Sequence, residues 1–313
     1  MAIRIKKSVC VGLDVHRNNV WACVCAKDPN KKKDTLVFKT KKFLSNHTDL
    51  TEMCNWIKET TEKILGKQVT ESIDVYMEST GKYSTPVYDV CEQNKTKPHI
   101  VNPKHVRTIA GQKTDQKDCA WIAELGINGL LRESYIPEKA IRASRRLSRS
   151  RTNILHAKQD DVRRIQNVLT EANIRMDLIF TSIDGESARK VIEYLMETDE
   201  PKLGEIKRRI RKSCRIMKYE SVEESKKKEE ELLKAFSGAK FSPEQKFELR
   251  KAYERIDSYN AQIRDYETMM NETLLPFKSY LDLLESVPGI SRLSAMQILS
   301  EIGPDIEPFQ IQN

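Results

Sequence analysis

Apolar residues run through the first hundred positions in short blocks. Ser8–Asp14, Asn19–Lys27 and Asp34–Phe43 are rich in valine, cysteine and aromatic residues, and the blocks predict three strands. His16-Arg-Asn-Asn19 and Asp28-Pro-Asn-Lys31 lie between them and have turn composition. Links this short join antiparallel neighbours. The period then changes. Leu50, Met53, Cys54, Ile57, Ile64 and Leu65 recur near helical spacing, which predicts a helix over Thr48–Leu65. Ser72–Glu78 reads as a fourth strand; because a helix precedes it, it should run parallel to a neighbour through a right-handed crossover. Tyr83–Gln93 reads as helix, Pro98–Asn102 as a short fifth strand, and Asp115–Leu131 as a helix beyond the loop around Gly111.

Three antiparallel strands followed by helix, strand, helix, strand and helix is the element order of an α/β RNase H-like fold with a mixed five-stranded sheet. The rest of the chain reads as all-α. Ile141, Leu147, Ile154, Val162, Ile165 and Leu169 supply apolar positions for a helix after Lys139. The run from Glu220 to Lys234 is highly charged and reads as solvated or mobile. Ser242 followed by Pro243 marks a helix start. Beyond it Leu249, Ala252, Ile256, Tyr259, Ile263, Tyr266 and Met270 alternate by three and four. That pattern fits a coiled-coil seam between protomers or a helix packed on its own domain. Ser286-Val-Pro-Gly-Ile-Ser291 lies between two short helical stretches and is like a helix-hairpin-helix turn. The expected domains are residues 1–150 (RuvC-like), 151–284 (basic helical and coiled-coil) and 285–313 (the start of a helical C-terminal domain).

Charge changes the picture. With 39% hydrophobic residues the chain can build cores, yet 32% of it is charged and the net charge is +8, which favours a polyanionic partner. The charge is patterned. Lys139–Arg175 holds ten Lys/Arg against three Asp/Glu, and Lys202–Lys218 holds eight against Glu205 alone. Arg142, Arg145, Arg146 and Arg149 fall on one helical stripe, and Lys207, Arg208, Arg209 and Arg211 crowd the second cluster. Such faces are either solvated surface or phosphate-binding surface for DNA or RNA. No apolar run approaches the roughly 18 residues of a membrane span. The seven cysteines are scattered without a zinc spacing and read as reduced core residues.

Four acids carry the candidate chemistry. Asp14 and Glu78 each close an apolar strand block, where an unpaired charge is costly. Asp115 and Asp118 are three apart at a helix start and share a face. An Asp-x-x-Asp pair is also ordinary solvated helix surface; only the combination points to an oxygen-rich Mg2+ site. If strand four lies beside strand one, Asp14 and Glu78 become neighbours, and the later helix brings the aspartate pair to the same edge.

Gly12-Leu-Asp-Val-His16, Met77-Glu-Ser-Thr-Gly-Lys-Tyr83, Pro86-Val-Tyr88, Val101-Asn-Pro-Lys-His105 and Lys113-Thr-Asp-Gln-Lys-Asp118 occur in this order. Together they resemble the DEDD transposases of the one-hundred-and-ten family of bacterial insertion sequences, whose relatives include Piv-type invertases. The resemblance implies that Asp14, Glu78, Asp115 and Asp118 are both the catalytic and the metal-binding acids, with Mg2+ as cofactor and Mn2+ as substitute. It implies DNA as partner, a structured guide RNA in some members, and nucleic-acid contacts at Lys82, Lys113 and Tyr83, with a core or helix-cap role equally open for Tyr83. It also implies homo-oligomers through the Leu249–Met270 coiled coil, and a cytoplasmic, nucleoid-associated protein. The family's nucleophilic serine lies in a C-terminal domain, and no serine from Ser286 to Ser300 matches its motif; the chain reads as C-terminally truncated, so metal and nucleic-acid binding without strand exchange is expected of it. Two rival readings stand beside strand exchange. One is a Holliday-junction-resolvase-like nuclease using metal-bound water. The other is a non-catalytic binding protein that inhibits transposition.

Overall fold

The computed structural model describes residues 5–31, 35–108, 115–176, 180, 182–198, 200–202, 204–206, 208–209, 227, 236 and 240–305. They divide into two compact units, Met1–Ile136 and Pro137–Asn313. The first unit is built on five strands, β1 (Val9–Val15), β2 (Asn19–Lys27), β3 (Leu36–Leu44), β4 (Asp74–Glu78) and β5 (Lys97–Val101), in the order β3-β2-β1-β4-β5. β1, β2 and β3 pair antiparallel through their short turns, while β1–β4 and β4–β5 are parallel, as the intervening helices require. Helix α1 (His47–Leu65) makes the crossover from β3 to β4. It starts at Asn46, whose side chain accepts from the Asp49 amide, and it stops at Gly66 in a left-handed turn. After β4 a single 3-10 turn (Gly81–Tyr83) leads into α2 (Ser84–Gln93). The chain then runs through β5 to α3 (Pro103–Thr108) and α4 (Asp115–Ile127). The helix predicted to reach Leu131 ends four residues earlier, because Gly129 takes a positive φ there.

Alternation along the strands gives the sheet two buried faces. Val11, Leu13, Val24, Val75 and Met77 point to the α1/α2 side, and Cys10, Cys23, Cys25 and Tyr76 to the α4 side. The cysteines are packing residues here: six are free and buried among the described residues.

The second unit begins with α5 (Lys139–Glu171), which runs unbroken through the boundary expected at residue 150. The stretch expected to open a third domain belongs to this same unit. Its α5 packs with α6 (Glu186–Glu197) and α7 (Pro243–Thr273) around Ile165, Leu169, Val191, Ile192 and Leu249. The start of α7 is a capping box of Ser242 and Gln245 with Pro243 in the first turn, as its sequence predicts. Leu249, Ala252, Ile256 and Met270 of the expected seam are buried within this unit, so the own-domain packing reading holds at these four positions. Helix α9 (Arg292–Ile302) packs on the first half of α5 and α8 (Lys278–Glu285) packs on α9, in one cluster that holds Ile141, Leu281, Ala295, Met296 and Leu299. The charged run 220–234 lies outside the described residues apart from Lys227. No helix among the described residues is long and apolar enough to cross a membrane.

Candidate metal centre and nucleic-acid surface

The acid edge is set by how α4 lies on β1. A Cβ added at Gly12 would fall against the Cys119 carbonyl and within 2.5 Å of the Ala123 amide nitrogen. Only glycine lets the helix backbone come this close to the strand. The far end of α4 is tied down as well, since the amides of Lys6 and Lys7 donate to the Ile127 carbonyl at 3.0 and 3.2 Å. The helix therefore runs antiparallel to β1. Its first turn lies at the end of the strand where Asp14 sits.

The sheet register supplies the second acid. Leu13 pairs with Met77 in the parallel β1–β4 ladder, so Asp14 and Glu78 follow as the next residues on adjacent strands. Neighbouring strands are about 4.8 Å apart. Both acids take the α4 side of the sheet, in phase with Cys10 and Tyr76, and both are half-buried. From Cys119, which lies over Gly12, Asp118 is one residue nearer the start of α4 and Asp115 is one turn nearer. At roughly 1.5 Å per residue along the helix and 3.3 Å along the strand, the Asp115 and Asp14 backbones reach about the same height. Asp118 is half-buried; the side chain of Asp115 lies outside the described residues. The Cys119 thiol registers the proximity of helix and strand acid. Its hydrogen bond with Cys23 is the main cause that pushes its pKa far up, burial adds to this, and the Asp14 carboxylate adds further.

Asp14 also meets His16, whose Nε2 lies 2.9 Å from Oδ2. His16 closes the Gly12–His16 motif and is a neighbour of the acid that the sequence pattern alone does not single out. Its signal was the two-residue spacing, which keeps both side chains on one face of an extended chain. Among the described residues no three His, Cys, Asp or Glu side chains converge closely enough to hold a metal ion. Asp14, Glu78 and Asp118 share an edge without closing a cage by themselves. Their donor chemistry still fits a hard divalent cation: all are carboxylates, and the Cys119 thiol is buried against that of Cys23.

The expected nucleic-acid residues have mixed placements. Lys82 and Tyr83 are exposed in the turn after Glu78, on the acid edge. Lys113 lies outside the described residues, as do Lys207 and Arg211. On α5, Arg142 donates to the Pro137 carbonyl at 3.0 Å. Arg145 donates to the carbonyls of Ser300 and Glu301 at 3.0 and 2.7 Å, capping α9. Arg149 makes two hydrogen bonds to the Glu301 carboxylate, at 3.0 and 2.9 Å. Arg146 is exposed on the same helix. Arg208 and Arg209 both reach Glu205, and Arg209 also lies over the Tyr194 ring. Much of the arginine pattern thus serves contacts within the chain.

The opposite end of the sheet holds a polar network of its own. His99 lies between Asp74 (2.7 Å) and Glu133 (2.8 Å), and Lys7 bonds both Asp74 and the Tyr76 hydroxyl. Burial works against the Asp74 carboxylate, but hydrogen bonds from Lys7 and His99 hold its pKa below the ordinary value.

A family model for the DEDD transposase domain of the one-hundred-and-ten insertion-sequence type, described as a transposase, matches residues 11–174. No curated protein matches the chain.

Proposed function

The chain belongs to the DEDD transposase family of the one-hundred-and-ten insertion sequences, and from that premise we propose that it acts on DNA phosphodiesters through Asp14, Glu78, Asp115 and Asp118. Membership brings DNA transposition, DNA binding and use of a divalent metal as properties of the class. The finer assignment is Mg2+, with Mn2+ as substitute, held by these four carboxylates. A bound cation of this kind polarises the phosphate and offsets the negative charge that develops on it. The chain's own part is to hold the carboxylates at one edge and to orient Asp14 through His16.

The observation that carries this reading is the close seating of α4 on Gly12. It turns the start of the helix towards the edge where β1 and β4 end in acids. Exposed Lys82 and Tyr83 beside Glu78 supply a cation and an aromatic ring for the strand being cut. A structured guide RNA on the basic helices, and pairing of protomers through the half-buried Tyr259, Ile263 and Tyr266, complete the proposal.

The test compares wild type with Asp14→Ala and Asp118→Ala on a DNA substrate in Mg2+. Loss of cleavage by at least about a hundred-fold with DNA binding retained is expected, as for removal of one electrostatic group from an active site. Cleavage that persists in both variants would sink the acid site. Cleavage without strand joining would instead favour the hydrolytic, resolvase-like reading.

A further inference from the structure

The face of the sheet that carries the acids carries a second feature at the same height. Asp14 pairs with Trp21 in the β1–β2 register, and Trp21 pairs with Lys42 in the β2–β3 register. Directly paired residues project to the same face. Asp14, Trp21 and Lys42 therefore form one row on the α4 side, leading from the acids to the free edge of the sheet. With strands about 4.8 Å apart, the Lys42 backbone stands roughly 10 Å from that of Asp14. Trp21 is half-buried at the margin of the core under α4, and Lys42 is exposed with its Nζ 5.5 Å from the centre of the indole ring. An indole with a cation over it, beside a site for phosphodiester chemistry, has the makings of a single-strand platform: the ring packs a sugar or base, and the ammonium meets a phosphate.

We propose that Trp21 and Lys42 form a shelf for the DNA strand that enters the acid site. Lys42 contacts a phosphate beside the scissile one, and Trp21 packs the adjoining nucleoside. The shelf rests on the reading of Asp14 and its partners as the reaction site. Strand β3 supplies its own control. Lys41 lies 4.9 Å from the centre of the Phe43 ring on the opposite, α1 side of the sheet. Lys41 and Lys42 are thus adjacent, exposed and each set over an aromatic ring, and they differ in the face they occupy.

Binding of a fluorescein-labelled single-stranded DNA oligonucleotide, followed by anisotropy over a salt series with Ca2+ in place of Mg2+, tests the shelf on the full chain. Lys42→Gln should weaken binding roughly five- to ten-fold at about 0.1 M salt. It should also lower the slope of log affinity against log salt by about 0.7, the share of one phosphate on a single strand. Lys41→Gln should leave both quantities near wild type, and Trp21→Leu should weaken binding where Trp21→Tyr does not. Equal losses from Lys41→Gln and Lys42→Gln, or none from Lys42→Gln, would overturn the shelf. Cleavage assays on Asp14→Ala keep the two failures apart. Cleavage that survives Asp14→Ala removes the acid site and the shelf with it. Cleavage lost in Asp14→Ala, with Lys42→Gln binding like wild type, removes the shelf alone.

Discussion

Gly12 decides how closely α4 can approach the strand that carries Asp14. A methyl group there would push against the backbone of α4, which cannot rotate away as a side chain can. Gly12→Ala is expected to cost about 1–3 kcal/mol through overpacking. That corresponds to a fall of roughly 5 °C in Tm by circular dichroism, together with a loss of metal-dependent cleavage; an unchanged Tm would contradict the close seating. Asp161 in the second unit shows the opposite kind of residue, a charge that is fully buried and fully used. Arg255 makes two hydrogen bonds to it, at 2.8 and 2.7 Å, and Arg164 a third at 2.8 Å. The Arg255 hydrogen bond is the main cause that holds the Asp161 carboxyl below its ordinary 3.8; burial opposes it and Arg164 assists. Because the folded value is the lower one, the stabilisation is present above pH 3.8 and is lost as pH falls through the folded value. Asp161→Asn should therefore cost about 1–2 kcal/mol at neutral pH, from weakened charge-assisted hydrogen bonds to Arg255 and Arg164, whose charges solvent still reaches. The gap to wild type should narrow in acid, as read from urea midpoints at both pH values.

At the scale of elements, α9 shows how a basic stripe can be spent inside the chain. The Ser144 and Ser300 hydroxyls meet at 2.6 Å in a buried contact between α5 and α9. Arg145 caps the last carbonyls of α9, and Arg149 grips Glu301. Arg145→Ala should speed amide exchange in the last turn of α9 by about ten-fold, the effect of losing a hydrogen bond worth about 1.4 kcal/mol. DNA affinity should change little. A large loss of affinity with unchanged exchange would return Arg145 to nucleic-acid contact. Helix α7 gives a related lesson. Its three-four spacing is the same whether the apolar stripe faces a second protomer or its own domain, and α5 is the neighbour that buries its first half.

At the scale of the whole molecule, the division at Ile136 and Pro137 separates a sheet unit with cores on both faces from a helical unit with two clusters of its own. Residues 1–136 expressed alone should fold and unfold cooperatively, because they hold a buried cluster of their own on each face of the sheet. A molten or aggregated fragment would show that the first unit leans on the second. The division expected at residue 150 falls inside α5, which begins at Lys139 and has the same basic composition on both sides of that position. Composition does not mark where a contact network ends.

Strand blocks, turn chemistry and helical spacing were enough to specify the five strands, their pairing directions and the RNase H-like order, since these depend on period and link length alone. Asp14 and Glu78 stood out because charge at the end of a buried strand is costly wherever it occurs, and Asp115 and Asp118 because their spacing puts both on one helix face. Which residues become neighbours was left to the tertiary structure. The β1–β4 register sets Asp14 beside Glu78, the bare Gly12 backbone brings α4 down at their edge, and the β2 ladders carry Trp21 and Lys42 into the same row. The arginine stripe was equally legible as a surface, yet only packing showed that α9 takes up Arg145 and Arg149. Period and charge are properties of one segment. A site, or the internal use of a cation, depends on distances between segments that only the folded chain brings together.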